Sequence, residues 1–315
     1  MRHSYHDSEC LFLKFMFSNS TNIIMELSKT SFGPFDLFTI ETGYFKLDGG
    51  AMFGVVPKTL WSRKIEPDEK NRIPMTERSL LIHSRNTDRI YLIDNGCGTK
   101  FDDKFVDIYQ IDFSKYSLEL SLEHHGYSPS DISDMIFTHL HFDHCGGTTY
   151  FNDNGELMHT FPEATYHISE TQWDTANHPN VREQASFMKE NIEPIADSNR
   201  LNLLKEGHEY EEGLTHVLMH GHSRGQQLIK ISSGKETLVF AADLIPTTAH
   251  IPLPWVMGYD MCAVETLSEK AAFLNIASEE DWYLYMEHDY ETEIVQVEKS
   301  GRKYQVKREL TLSEL

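Results

Sequence analysis

Three histidines and an aspartate crowd into Thr138-His139-Leu140-His141-Phe142-Asp143-His144-Cys145-Gly146-Gly147, directly after an apolar run. Imidazole is the commonest side-chain ligand of transition metals, and imidazole mixed with carboxylate suits zinc, iron, cobalt or manganese better than calcium or magnesium. With Met135–Phe137 as a strand, His139 and His141 leave it two residues apart and can point the same way. Asp143 and His144 follow in the turn and can aim at a second point nearby, so the spacing predicts two adjacent metal positions. Cys145 reads as a small packing residue behind the ligands. The pair His124-His125 asks for no chemistry: it closes an expected helix from Lys115 to His125, where imidazole meets the carbonyl end of the dipole.

The elements that must position this stretch come in two blocks of strands around a more helical middle. In the first block, Phe35 to Leu47 reads as two short strands turning near Gly43, followed by strands Ser79 to His83 and Arg89 to Asp94. Asp94, at a strand end, is equally an orienter of a ligating imidazole or an ordinary turn aspartate. Asp48 to Trp61 holds three glycines and several apolar side chains that no strand or helix pattern claims, and is expected to line a pocket. Ser128-Pro129-Ser130-Asp131 has the capping chemistry of a helical turn leading into the ligand strand, which places the ligands at a strand's carboxyl end.

In the middle, helices are expected from Ser169 and from Val181 to Asn191, and His167 reads as a plain strand histidine. The second block predicts strands Thr215 to Met219, Gln227 to Ile231 and Thr237 to Ala241. Turns carrying His220, His222 and Asp243 follow the first and third of these, with His220 a solvent-side residue. A helix from Thr266 to Asp281, with a capping box of Thr266 and Glu269 and a stripe of Leu267, Ala271 and Leu274, leads to the strand Trp282 to Met286 and then His288. A hairpin of Ile294–Val297 and Lys303–Val306 closes the chain.

At 315 residues and 40% hydrophobic content, the chain can bury a sizeable core. Residues 1–24 read as an extension without periodic pattern, and residues 25–315 as a single domain. No apolar run approaches the roughly 20 residues of a membrane span. The early apolar run Cys10 to Phe17 is interrupted by Lys14 and lacks a cleavage site, so no membrane association and no secretory signal are expected. Cys10, Cys97, Cys145 and Cys262 are scattered, as in a reduced, cytoplasmic protein. A formal charge of -21 disfavours nucleic acid as a partner, since that binding leans on basic residues.

Taken in order, HxHxDH at His139–His144, a third histidine at His222, Asp243 and a last histidine at His288 resemble the metallo-β-lactamase superfamily. That resemblance implies an α/β fold, a four-layer αββα sandwich in which two sheets pack face to face with helices outside. It implies that His139, His141 and His222 hold one metal, that Asp143, His144 and His288 hold the other, and that Asp243 bridges them. Within the superfamily, Asp48 to Lys58 and Gly258-Tyr259-Asp260 look like quorum-quenching N-acyl homoserine lactonases. Many lactonases of this fold carry a tyrosine three residues after the bridging aspartate, where this chain has Pro246; His250 or Tyr259 would have to handle the leaving group.

The expected cofactors are thus two divalent transition metal ions, zinc before iron, manganese or cobalt. Two such ions about 3.5 to 4 Å apart can share and acidify a water and polarise a carbonyl. Asp143 or Asp243 would accept a proton, and Met52, Phe53, Val55, Trp255, Met257 and Tyr259 would supply an apolar seat for an acyl chain. The expected activity is opening of a lactone or comparable ester, and the expected partner is that small molecule, with a homodimer as the assembly. Phosphodiester hydrolysis and thioester hydrolysis of the glyoxalase II type are the alternatives on the same centre.

Overall fold

The computed structural model describes residues 27–315; the expected extension at residues 1–24 lies outside them. Two seven-stranded sheets form the centre, in the orders β1-β2-β3-β4-β5-β8-β9 and β10-β11-β12-β13-β14-β15-β16. The first comprises β1 (Lys29–Phe32), β2 (Phe35–Asp48), β3 (Arg72–Ser84), β4 (Ile90–Ile93), β5 (Asp134–Ile136), β8 (Thr165–Ser169) and β9 (Leu201–Leu204). Between β5 and β8 a small hairpin, β6 (Thr149–Phe151) with β7 (Leu157–His159), stands apart. The second sheet comprises β10 (Glu209–Glu211), β11 (Leu214–Met219), β12 (Gln226–Ser233), β13 (Glu236–Phe240), β14 (Tyr283–Tyr285), β15 (Ile294–Ser300) and β16 (Lys303–Leu310).

Alternation along the strands assigns each face of the first sheet its partner. Leu80 and Ile82, Tyr91 and Ile93, and Ile136 face the second sheet, packing into one core with Ile229, Ile231, Phe240, Leu284 and Val295. Their neighbours Leu81, Leu92 and Met135 face outward and are covered by Leu118 and Leu122 of the helix Leu118–His124 and by Ile192 and Ile195 of the helix Lys189–Asp197. Apolar residues on both faces demand cover on both, and Phe273, Leu274 and Ala277 of the helix Ala263–Glu279 supply it for the second sheet. The result is the αββα sandwich.

Several elements differ from expectation. Phe35 to Leu47 is one long strand, not two: the ladder to β3 shifts register between Glu41 and Tyr44, so Gly43 sits in a bulge rather than a turn. Beyond that bulge Phe45 and Leu47 join Met52, Phe53, Trp61, Ile73, Met75 and Met257 in a separate apolar cluster. The stretch Asp48 to Trp61 is helical, as Gly49–Phe53 and Lys58–Trp61, with the Asp48 carboxylate accepting the Ala51 N–H at 2.8 Å. The middle helix runs Lys189–Asp197 rather than Val181 to Asn191, because Asn180 Oδ1 takes the N–H groups of Arg182 and Glu183 and holds that segment in a turn. No described helix is long and apolar enough to cross a membrane.

Candidate metal centre

The candidate ligands sit at the carboxyl ends of strands from both sheets. His139 and His141 follow β5, His222 follows β11, Asp243 follows β13 in a short 3-10 turn, and His288 follows β14. Asp143 and His144 stand in the first turn of a helix, Phe142–Cys145, whose preceding residue is His141. Glycine is needed just after it: a Cβ at Gly146 would overlap the Cys97 carbonyl, and one at Gly147 the Asn95 carbonyl. The ligand turn can therefore press against the loop that follows β4. Cys145 is buried with Met135 and Leu140, as a packing residue should be.

Two groups of ring nitrogens converge. His139 Nε2 lies 3.0 Å from His141 Nδ1, and His222 Nε2 lies 3.3 Å from the same atom. His144 Nε2 and His288 Nε2 lie 3.2 Å apart. Asp243 spans the two groups, with Oδ2 3.1 Å from His222 Nε2 and Oδ1 3.2 Å from His288 Nε2. Asp143 Oδ2 is 3.8 Å from His144 Nε2 and 3.9 Å from His288 Nε2.

The far nitrogen of every ring is engaged, which leaves the inward nitrogens to a metal when the rings are neutral. His141 Nε2 meets Glu183 Oε1 at 3.1 Å, and His222 Nδ1 meets Asp260 Oδ1 at 3.1 Å. His144 Nδ1 meets Asp94 Oδ2 at 3.0 Å and Glu287 Oε1 at 3.1 Å, while His288 Nδ1 meets the Thr76 carbonyl at 3.0 Å. Thr138 Oγ1 donates to Asp94 at 2.6 Å and so accepts from His139 Nδ1 at 3.0 Å. With the rings neutral and donating outward, the inward nitrogens at 3.0 to 3.3 Å would present lone pairs to one another. Cations between them would relieve that arrangement, and Asp243 Oδ1, buried with no hydrogen-bond partner, is one more donor atom aimed at the same space. The residues present therefore fit transition-metal ions.

The surrounding charge agrees. Burial opposes the charged form of His222 and His288, yet Asp243 outweighs it, helped by Asp260 and Glu287 respectively, and lifts the two imidazoles to about 10 and about 9. The same negative field would attract a dication. His139 and His141 are held below the usual imidazole range, chiefly by burial. Burial pushes the Glu287 carboxyl above the usual carboxylate range, and it shares the His144 Nδ1–H with Asp94.

Asp94 thus holds the His144 imidazole in place. Glu183, Asp260 and Glu287 likewise hold the rings of His141, His222 and His144; Asp260 stood in the Gly258-Tyr259-Asp260 motif with no role assigned to it, and Glu183 and Glu287 carried no signal of one. Glu269 is not in a capping box, because the helix begins earlier, at Ala263; its carboxylate instead accepts the N–H groups of His220 and Gly221 at 2.6 and 3.0 Å and holds the loop that presents His222. Arg78, also missed, donates to Glu41 and to the carbonyls of Met286, Asp289 and Thr292, which fixes the turn carrying His288. His167 pairs with Asp134 Oδ1 at 2.7 Å, away from the centre.

A cavity of about 190 Å³ opens onto the ligands and is lined by Asp143, His141, His222, Asp243 and His288 together with Leu47, Met52, Met75, Tyr109, Phe142, Arg182, Met257, Tyr259 and Met261. Four of the expected site residues are not among its lining residues. Val55 lies outside it and is 92% exposed, since Gly54, at φ 55°, turns the chain outward against Val256 and Gly258. Phe53 and Trp255 stand behind the wall, edge to face at 5.8 Å. His250 does not reach the cavity: it is stacked on Phe53 at 4.6 Å, with Nδ1 at 2.8 Å from Thr247 Oγ1 and Nε2 donating to the Met52 carbonyl at 2.9 Å. Pro246 is buried.

Fold and donor set together define a protein of the α/β class with a candidate metal centre at the strand ends. The chain belongs to the metallo-beta-lactamase superfamily, whose family model matches residues 76–288. It is 27% identical over 175 residues to the N-acyl homoserine lactonase AiiA of Bacillus thuringiensis subsp. kurstaki, a match spanning 53% of this chain and 60% of that protein. In structure it is similar to a probable metal-dependent hydrolase from Staphylococcus aureus, with TM-score 0.81, 27% identity, and 90% and 98% of the two chains covered. It also shares its fold with AidC, a dizinc quorum-quenching lactonase, at TM-score 0.71 and 20% identity over 89% and 96% of the chains.

Proposed function

We propose that the chain is a dinuclear hydrolase that opens a lactone or comparable small ester. The observation that carries this reading is the pair of inward-facing nitrogen groups joined by Asp243 at the floor of an apolar-walled cavity. His139, His141 and His222 would hold one metal, Asp143, His144 and His288 the other, with Asp243 shared; the ions would supply an acidified water and a Lewis acid for the carbonyl. N-acyl homoserine lactones are candidate substrates through the likeness to the Bacillus lactonase.

The chain's own residues set the rest. The cavity, at about 190 Å³, is smaller than the roughly 300 Å³ at which sites for drug-sized ligands begin, so it suits a compact ring or short acyl group. Met52, Met75, Met257 and Met261 give it flexible apolar walls. Asp143 and Asp243 face the cavity and can take up the proton released by the attacking water. Burial raises the Tyr259 phenol well above its ordinary range, so it stays protonated and can donate to the departing oxygen in place of a residue at Pro246.

The test is elemental analysis of purified protein together with turnover of a lactone, a simple ester, a thioester and a phosphodiester. Lactone and ester opening dependent on bound transition metal is expected. Phosphodiester or thioester turnover without lactone opening would replace the assignment.

A further inference from the structure

Arg182 is the one Lys or Arg among the residues lining the cavity, whose other charged members are the candidate ligand carboxylates and Glu183. A tight turn aims it. Asn180 Oδ1 accepts the N–H groups of Arg182 and Glu183 at 2.9 and 3.1 Å, and Asn180 Nδ2 donates to Glu183 Oε2 at 3.1 Å. Glu183 is in turn fixed by His141 at 3.1 Å and Ser223 at 2.5 Å, so the backbone carrying Arg182 is tied to the metal centre. The guanidinium itself donates across the cavity mouth to the Gly258 carbonyl, next to Tyr259.

Guanidinium has five N–H donors in a planar fork that matches a carboxylate. Among the described residues, the side-chain hydrogen bond of Arg182 goes to a backbone carbonyl and leaves most of the fork available. The nearest acid in sequence, Glu183, is taken up by His141, Ser223 and Asn180. A cation at the rim of this cavity, with its backbone held in a turn and most of its fork available, is a recognition element for an oxyanion. The chain's overall charge of -21 does not prevent this, because charges beyond about 8 Å are largely screened at physiological ionic strength.

We propose that Arg182 determines specificity: its guanidinium engages a carboxylate that the substrate carries beyond the scissile bond, so that an anionic ester or lactone is preferred to a neutral one of the same size. This rests on the cavity being the substrate site of the proposed hydrolase. The fork and the Tyr259 hydroxyl then bracket the mouth, one holding the remote carboxylate and the other the reacting end.

The experiment separates binding from turnover. Calorimetry would measure binding of an anionic amide analogue, N-(4-nitrophenyl)glutaramic acid, and of its neutral counterpart, N-(4-nitrophenyl)butanamide, to the metal-loaded wild-type, Arg182→Gln and Arg182→Lys proteins. The wild type is expected to favour the anion about tenfold, Arg182→Gln to lose that preference, and Arg182→Lys to keep part of it. Equal affinity of the wild type for the two compounds, weak or strong, overturns the proposal, as does a preference that survives in Arg182→Gln. Arg182 is exposed, so these variants should fold, and thermal melting checks it. Absence of ester or lactone turnover would instead count against the proposed hydrolysis and leave the binding comparison standing.

Discussion

His144 and His288 turn their Nε2 atoms toward each other at 3.2 Å while each ring spends its Nδ1–H elsewhere, on Asp94 and Glu287 for one and on the Thr76 carbonyl for the other. The two residues are 144 apart in sequence, and they come from different sheets. Removing His288 should therefore release a metal that sequence spacing alone would assign to Asp143-His144. For His288→Ala we expect metal content to fall from about two equivalents to about one, read by elemental analysis after dialysis. Retention of both equivalents at wild-type affinity would withdraw His288 from the ligand set.

Asp260 fixes His222 through Oδ1 at 3.1 Å and the cavity wall through the Met257 N–H, which donates to Oδ2 at 3.1 Å. Outer carboxylates of this kind are worth about 10–100-fold in metal affinity. Asp260→Ala should lose affinity on that scale in competition with a chromogenic chelator, and should also raise KM because the Met257 loop loosens. A variant with unchanged chelator competition would show that Asp260 does not orient His222.

His250 gives the fold a pH dependence of its own. Burial lowers its imidazole from 6.5 to about 4, so the folded state prefers the neutral ring. The stability it protects is complete above about 6.5 and drains away as pH falls toward about 4, an effect on the order of 3 kcal/mol when fully developed. Urea unfolding between about pH 7 and about pH 4.5 should show a steeper loss for the wild type than for His250→Gln. Because the ring lies behind Phe53, the variant should not move the pH profile of kcat; a shifted profile would restore His250 to the chemistry.

Val55 and Met257, grouped together by sequence as substrate contacts, should separate. Val55→Ser at a 92% exposed position is expected to leave KM unchanged and stability within about 0.5 kcal/mol. Met257→Ala removes a buried side chain and should cost about 2–5 kcal/mol in denaturant unfolding, with a raised KM. Equal effects at the two positions would contradict the cavity boundary.

What the sequence by itself determined is chemistry of short range. Spacing alone put His139, His141, Asp143 and His144 beside one another, because a strand end and the turn after it hold residues a few positions apart at fixed angles. Alternating apolar runs likewise marked most of the central strands, since a sheet buried on both faces needs side chains that fill both. Tertiary structure decided everything that requires segments far apart to meet. Glu183, Asp260 and Glu287 look like ordinary surface acids until the sandwich closes and each finds the outer nitrogen of a ligand ring. Val55 left the pocket because one left-handed glycine turned the chain, and His250 left the chemistry because Phe53 and two hydrogen bonds claimed its whole ring. Arg182 became visible only when its turn was fixed beside His141, for a lone arginine in a polar stretch carries no sign of what it will face.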